Sequence, residues 1–67
     1  MDIDLDTTIG EVLAAYPGTA RIFQEFGMHC LGCPCSLSET IEEACAVHDA
    51  NGDELVHQLL EWVAENE

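Results

Sequence analysis

The run Met28-His29-Cys30-Leu31-Gly32-Cys33-Pro34-Cys35 places three of the chain's four cysteines within six positions. Thiols this close do two kinds of chemistry that few other side chains do. They exchange electrons as a dithiol–disulfide couple, or they hold a soft metal. Cys30-Leu31-Gly32-Cys33 is a CxxC motif, in which two intervening residues let the chain turn back so that both sulfurs reach disulfide distance. Gly32 supplies the backbone freedom that turn needs. Adjacent His29, when protonated, lowers the pKa of Cys30. A helix starting at Cys33 would lower that of Cys33 through its dipole. The acidity of the whole chain opposes both, so nucleophilic and resolving roles stay unassigned. Cys33-Pro34-Cys35 offers a second, tighter and more strained pair, which makes Cys35 a substitute partner or a spare thiol.

The metal reading competes. Zinc wants four donors, available as Cys30, Cys33, Cys35 and either Cys45 or His29. An iron–sulfur cluster wants four thiolates, and Cys30, Cys33, Cys35 and Cys45 supply them. The spacing C-x2-C-x-C-x9-C fits no standard zinc-finger, knuckle or ferredoxin pattern. Cys45 falls on an apolar helical stripe with Ile41 and His48. The preferred reading is an ordinary buried cysteine, because free Cys is among the most buried residue types. The alternative turns that stripe toward the cluster and delivers a fourth sulfur. In a third reading all the thiols are structural. His57 reads as a surface residue and His48 as a helix-end residue. No Gly-rich phosphate loop or Ser–His–Asp arrangement is present, so nothing points to a conventional metabolic enzyme.

Several elements must position these thiols. Ile3 and Leu5 alternate with acids, which predicts a brief extended segment laid on a helical core. Thr8-Ile9-Gly10-Glu11 has capping-box spacing, and Ile9, Val12, Leu13 and Tyr16 follow on one helical stripe that Pro17-Gly18 ends. A second helix is expected from Thr19 to Phe26, with Ile22, Phe23 and Phe26 inward and Gly27 as a left-handed stop. The CxxC loop separates it from a third helix carrying Leu37, Ile41, Ala44, Cys45 and His48 on one face. Cys33, Ser36 (with Glu39) and Ser38 are its candidate caps. A turn at 49–52 leads to a last helix, capped by Asp53, that buries Leu55, Val56, Leu59, Leu60, Trp62 and Val63. The expected fold is a single all-α domain, residues 1–67, of about four short helices without an internal repeat.

Composition narrows the function classes. Fourteen Asp and Glu face one basic residue, Arg21, for a formal net charge of −13. Such a surface repels phosphate backbones and anionic headgroups, which argues against nucleic-acid and membrane binding. Two causes fit the acidity: a salt-rich cytoplasm in which the surface stays hydrated, slightly preferred, or steering toward a basic partner. No apolar run approaches the ~20 residues that span a bilayer. The acidic start lacks the basic region of a signal peptide, so the expected compartment is the cytoplasm. There, a tight cysteine cluster points to redox or metal chemistry rather than a disulfide scaffold.

The segment from Phe26 to Pro34, followed by Glu39-Thr40-Ile41-Glu42-Glu43-Ala44-Cys45 and His48, resembles the hybrid cluster protein-associated redox disulfide domains. Residues 8–13 and the acidic last helix extend the resemblance over nearly the whole chain. It is similar, more distantly, to the N-terminal domain of di-iron proteins that repair iron–sulfur clusters. The resemblance implies a small α-helical domain with a redox disulfide at Cys30 and Cys33, and on the dithiol reading no cofactor is expected. It further implies a protein redox partner tied to hybrid cluster protein or iron–sulfur metabolism. Cys35 and Cys45 lie outside that pair and keep zinc or an iron–sulfur cluster as the alternative.

Overall fold

The computed structural model describes residues 2–28 and 37–66. These residues form an all-α fold. Helix α1 spans Ile9–Ala15, a 3-10 turn spans Pro17–Thr19, α2 spans Ala20–Glu25, α3 spans Ile41–Val47 and α4 spans Gly52–Asn66. His29, Cys30, Cys33 and Cys35 lie outside the described residues, as does the expected CxxC turn.

The capping box that opens α1 is formed as expected. The Thr8 hydroxyl accepts from the Glu11 N–H at 3.1 Å, and the Thr8 N–H donates to the Glu11 carboxylate at 2.9 Å. Two donors that a helix start leaves orphaned are thereby satisfied. Ile9 and Val12 are buried, with Leu13 and Tyr16 packed at the edge of the core. Thr19 is fully buried, and its hydroxyl donates to the Tyr16 carbonyl at 2.7 Å.

Gly27 takes the expected left-handed conformation, φ +90°. It sits in a full Schellman motif: the Gly27 N–H reaches the Gln24 carbonyl at 3.0 Å, and the Met28 N–H reaches the Phe23 carbonyl at 3.1 Å. The motif turns Met28 back into the core beside Phe23, and both are buried.

Helix α3 departs from expectation. The helix begins at Ile41 with Thr40 as its cap rather than the expected Ser38, and the other two expected caps, Cys33 and Ser36, lie outside the described residues. Thr40 and Glu43 form a second capping box, with bonds of 3.1 and 3.0 Å. Tertiary pairing decides the choice. Thr40 forms an antiparallel bridge with Thr8, the cap of α1. The Ile9 N–H donates to the Glu39 carbonyl at 3.0 Å, the Ile41 N–H to the Thr7 carbonyl at 2.9 Å, and the Glu42 N–H to the Leu5 carbonyl at 3.0 Å. With the Thr40 hydroxyl accepting from Glu43, the first three N–H groups of α3 all have partners.

Two further caps differ. The carboxamide oxygen of Asn51, rather than Asp53, caps α4 by accepting from the Glu54 N–H at 3.1 Å. His48 is the C-cap of α3 and is exposed, not part of the apolar stripe. After it Asp49 turns left-handed at φ +52°, and the Ala50 N–H closes on the Cys45 carbonyl at 2.8 Å.

Leu55, Leu59 and Val63 form the buried face of α4, against Phe23, Ile9, Ile41 and Val12. Leu60, expected inside, is 43% exposed. It follows Leu59 by one residue, about 100° around the helix, and falls off the stripe. Trp62 is half-buried and meets Tyr16 edge-to-face, with ring centroids 6.1 Å apart. No helix among the described residues is long and apolar enough to cross a membrane.

Candidate functional site

Residues 29–36, which carry His29, Cys30, Cys33 and Cys35, join two firmly held points. On the N-terminal side, Met28 is buried and its N–H is fixed to Phe23. On the C-terminal side, Leu37 packs on the core and its backbone lies against Gly10 of α1. A Cβ added at Gly10 would stand 2.9 Å from the Leu37 carbonyl oxygen and 3.3 Å from Leu37 Cβ. Three residues further on, the chain enters the Thr8–Thr40 bridge. The cysteine segment is therefore tied to the core at both ends.

Cys45 is buried, as its helical register led one to expect. It is a free thiol, 3% exposed, on the buried face of α3. Its sulfur sits near Gly52, where an added Cβ would lie 3.8 Å from Sγ and 2.7 Å from the Leu5 methyl. Burial pushes its pKa up, which favours the uncharged thiol over the thiolate that nucleophiles and metal ligands require. His57 is on the surface, 2.9 Å from Glu61. His48 points to neither the core nor a cluster of ligands: among the described residues no group of three or more His, Cys, Asp or Glu is arranged to hold a metal ion.

A shallow depression of about 440 Å³ lies beside the N-terminal segment, with Leu5 and Val56 as apolar floor and Asp4, Asp6, Glu42 and Asp53 around it. Its lining holds carboxylates but neither a thiol nor a histidine. Sequence reasoning missed two positions that hold the site's flank. Thr40 was visible in principle, since Thr40-Ile41-Glu42-Glu43 repeats the Thr8-Ile9-Gly10-Glu11 pattern. For Gly10 the only signal is a glycine in the first turn of a helix, where it is a poor helix former.

Residues 3–56 match the family described as a domain of unknown function (DUF1858), and the chain belongs to that family. It is also similar to a protein from Clostridium thermocellum whose solution NMR structure was solved as a structural-genomics target. The two share 50% identity with a TM-score of 0.86, over 98% of this chain and 94% of that one. No curated protein matches. The all-α fold is thus shared with a relative of high identity, and function has to be argued from the residues.

Proposed function

We propose that Cys30 and Cys33 form a reversible dithiol–disulfide pair that exchanges with a disulfide on a protein partner. The observation that carries this is the two-residue spacing of the pair in a segment whose two flanks, Met28 and Leu37, are held by the core. The state of Cys45 supports a two-thiol site over a four-thiolate one, because its sulfur is buried and its thiol form favoured. In the reducing direction, one thiolate of the pair attacks a partner sulfur. A mixed disulfide forms and a partner thiolate leaves. The second cysteine then attacks the mixed disulfide, closing Cys30–Cys33 and releasing the second partner thiolate. The chain loses two electrons and two protons, and the partner gains them. The resemblance to redox disulfide domains suggests a partner in hybrid cluster protein or iron–sulfur chemistry.

The test is native mass and metal analysis of anaerobically purified chain, with thiols counted before and after oxidation. Metal-free protein that loses two hydrogens on oxidation supports the pair, and either Cys30→Ser or Cys33→Ser then removes that loss. One metal per chain with all four thiols protected would sink it in favour of zinc or iron–sulfur binding. Four free thiols that persist under oxidant would make the cysteines structural.

A further inference from the structure

We infer that Asn51–Gly52 is a site of spontaneous deamidation that the fold holds shut and that reacts when the first turn of α4 opens. The chemistry comes from the pair itself. The Gly52 backbone nitrogen attacks Asn51 Cγ, and the new C–N bond closes a succinimide ring. The side-chain nitrogen leaves as ammonia, taking the proton that Gly52 gives up. Water then opens the ring at one carbonyl or the other, giving aspartate or isoaspartate. Nothing is oxidised or reduced, and water is the co-reactant. Glycine after asparagine favours the attack, because no side chain shields the nitrogen and the backbone turns freely. The chain's other asparagine, Asn66, precedes Glu67, whose side chain hinders the same step.

Asn51 is exposed, so water reaches it, but both bonds that must turn are pinned. Its carboxamide oxygen accepts from the Glu54 N–H at 3.1 Å, and its backbone carbonyl accepts from the Leu55 N–H at 3.1 Å. Bringing Cγ onto the Gly52 nitrogen rotates the Cα–Cβ and Cα–C bonds of Asn51. The first rotation strips the cap from Glu54, and the second carries the carbonyl off Leu55. Gly52 has little freedom to follow. It lies under the Leu5 side chain, where an added Cβ would stand 2.7 Å from a Leu5 methyl and 3.8 Å from Cys45 Cβ. Ring closure therefore requires this turn to open, and helix ends open locally far more often than a whole domain unfolds. The two products differ in consequence. Aspartate keeps an oxygen that caps α4. Isoaspartate routes the main chain through the side-chain methylene and breaks the register that delivers the cap.

The experiment holds full-length chain, thiols kept reduced, in mildly alkaline buffer, either folded or unfolded in urea. Peptide mapping by mass spectrometry follows positions 51 and 66 and separates aspartate from isoaspartate. In urea, Asn51 is expected to convert well ahead of Asn66. In the folded chain its conversion is expected to be at least about tenfold slower. Leu5→Ala uncovers Gly52 without touching either reacting residue, and in chain shown to be folded it should raise the folded-state rate about threefold or more. If that variant does not fold, the folded-to-unfolded ratio decides alone. No conversion at Asn51 in urea, or conversion no faster than at Asn66, overturns the site. Equal rates in folded and unfolded chain, or a folded Leu5→Ala chain that reacts no faster, overturn the closure by the fold.

Discussion

Cys45 and Glu43 show how environment, rather than residue type, sets what a group does. The Cys45 sulfur is enclosed near Leu5 and Gly52, so replacing it tests an apolar pocket. Cys45→Ala is expected to cost about 1 kcal/mol in urea unfolding, from lost transfer energy and the space left behind. Cys45→Ser should cost more, because a hydroxyl buried without a partner costs roughly 1–3 kcal/mol. An equal or smaller loss for Ser would contradict the pocket. Glu43 carries the opposite signature: bonds from the Thr40 backbone and hydroxyl hold its pKa below the ordinary glutamate range. Its folded pKa is depressed, so the unfolded chain takes up the proton first. The stability it lends is complete above the ordinary range and lost as pH falls through the folded value. Glu43→Gln keeps a capping acceptor but cannot titrate. Urea midpoints measured down the acid limb should fall less steeply in that variant than in the natural chain. The burial of Cys45 was legible from its helical register with Ile41. The Glu43 carboxylate was not, because its role depends on a cap that only the bridge to Thr8 selects.

Two helices of this chain end in the same way with different residues. After α2 the left-handed position is Gly27, and after α3 it is Asp49, at φ +52°. A left-handed residue with a Cβ costs roughly 1–2 kcal/mol, less for Asp than for most. Asp49→Gly is therefore expected to stabilise by about 0.5–1 kcal/mol, net of the freedom glycine adds to the unfolded chain. For a chain of this size that corresponds to a rise in Tm of roughly 4–8 °C per kcal/mol, readable by calorimetry. A fall in Tm would mean that the Asp49 side chain contributes more than its backbone costs. At this scale the sequence was informative: Gly27 and the Thr8 box announced their elements. It misplaced caps where small polar residues cluster: Cys33, Ser36 and Ser38 were the candidates for α3 and Asp53 for α4, whereas Thr40 and Asn51 serve.

At the scale of the whole molecule, acid is spread along the chain with one basic residue, Arg21, to set against it. The net charge is −13, and the ion pair formed among the described residues, His57 with Glu61, is exposed and adjacent on one helix. Self-repulsion of that size destabilises the folded state and weakens with salt, as the Debye length drops from about 8 Å at 0.15 M to about 3 Å at 1 M. Tm should therefore climb steadily as sodium chloride is raised over that range. A flat curve would remove the salt-adapted reading and leave steering toward a basic partner as the reason for the acidity.

What the sequence determined by itself was local. Helical periodicity placed Ile9, Val12, Phe23, Ile41, Leu55 and Leu59 inside. The Thr8 box and Gly27 marked their helix ends, and the two-residue spacing singled out Cys30 and Cys33. Each of these depends on residues within a turn or two of one another. Only the tertiary structure decided that α3 is capped by Thr40 and that Gly10 must be small. Those outcomes depend on atoms supplied from far along the chain: the carbonyls of Leu5 and Thr7 at the start of α3, and the carbonyl of Leu37 against α1. A helix start whose N–H groups can be met from several caps goes to the one whose distant acceptors are in place, and no short-range pattern encodes where those acceptors will be.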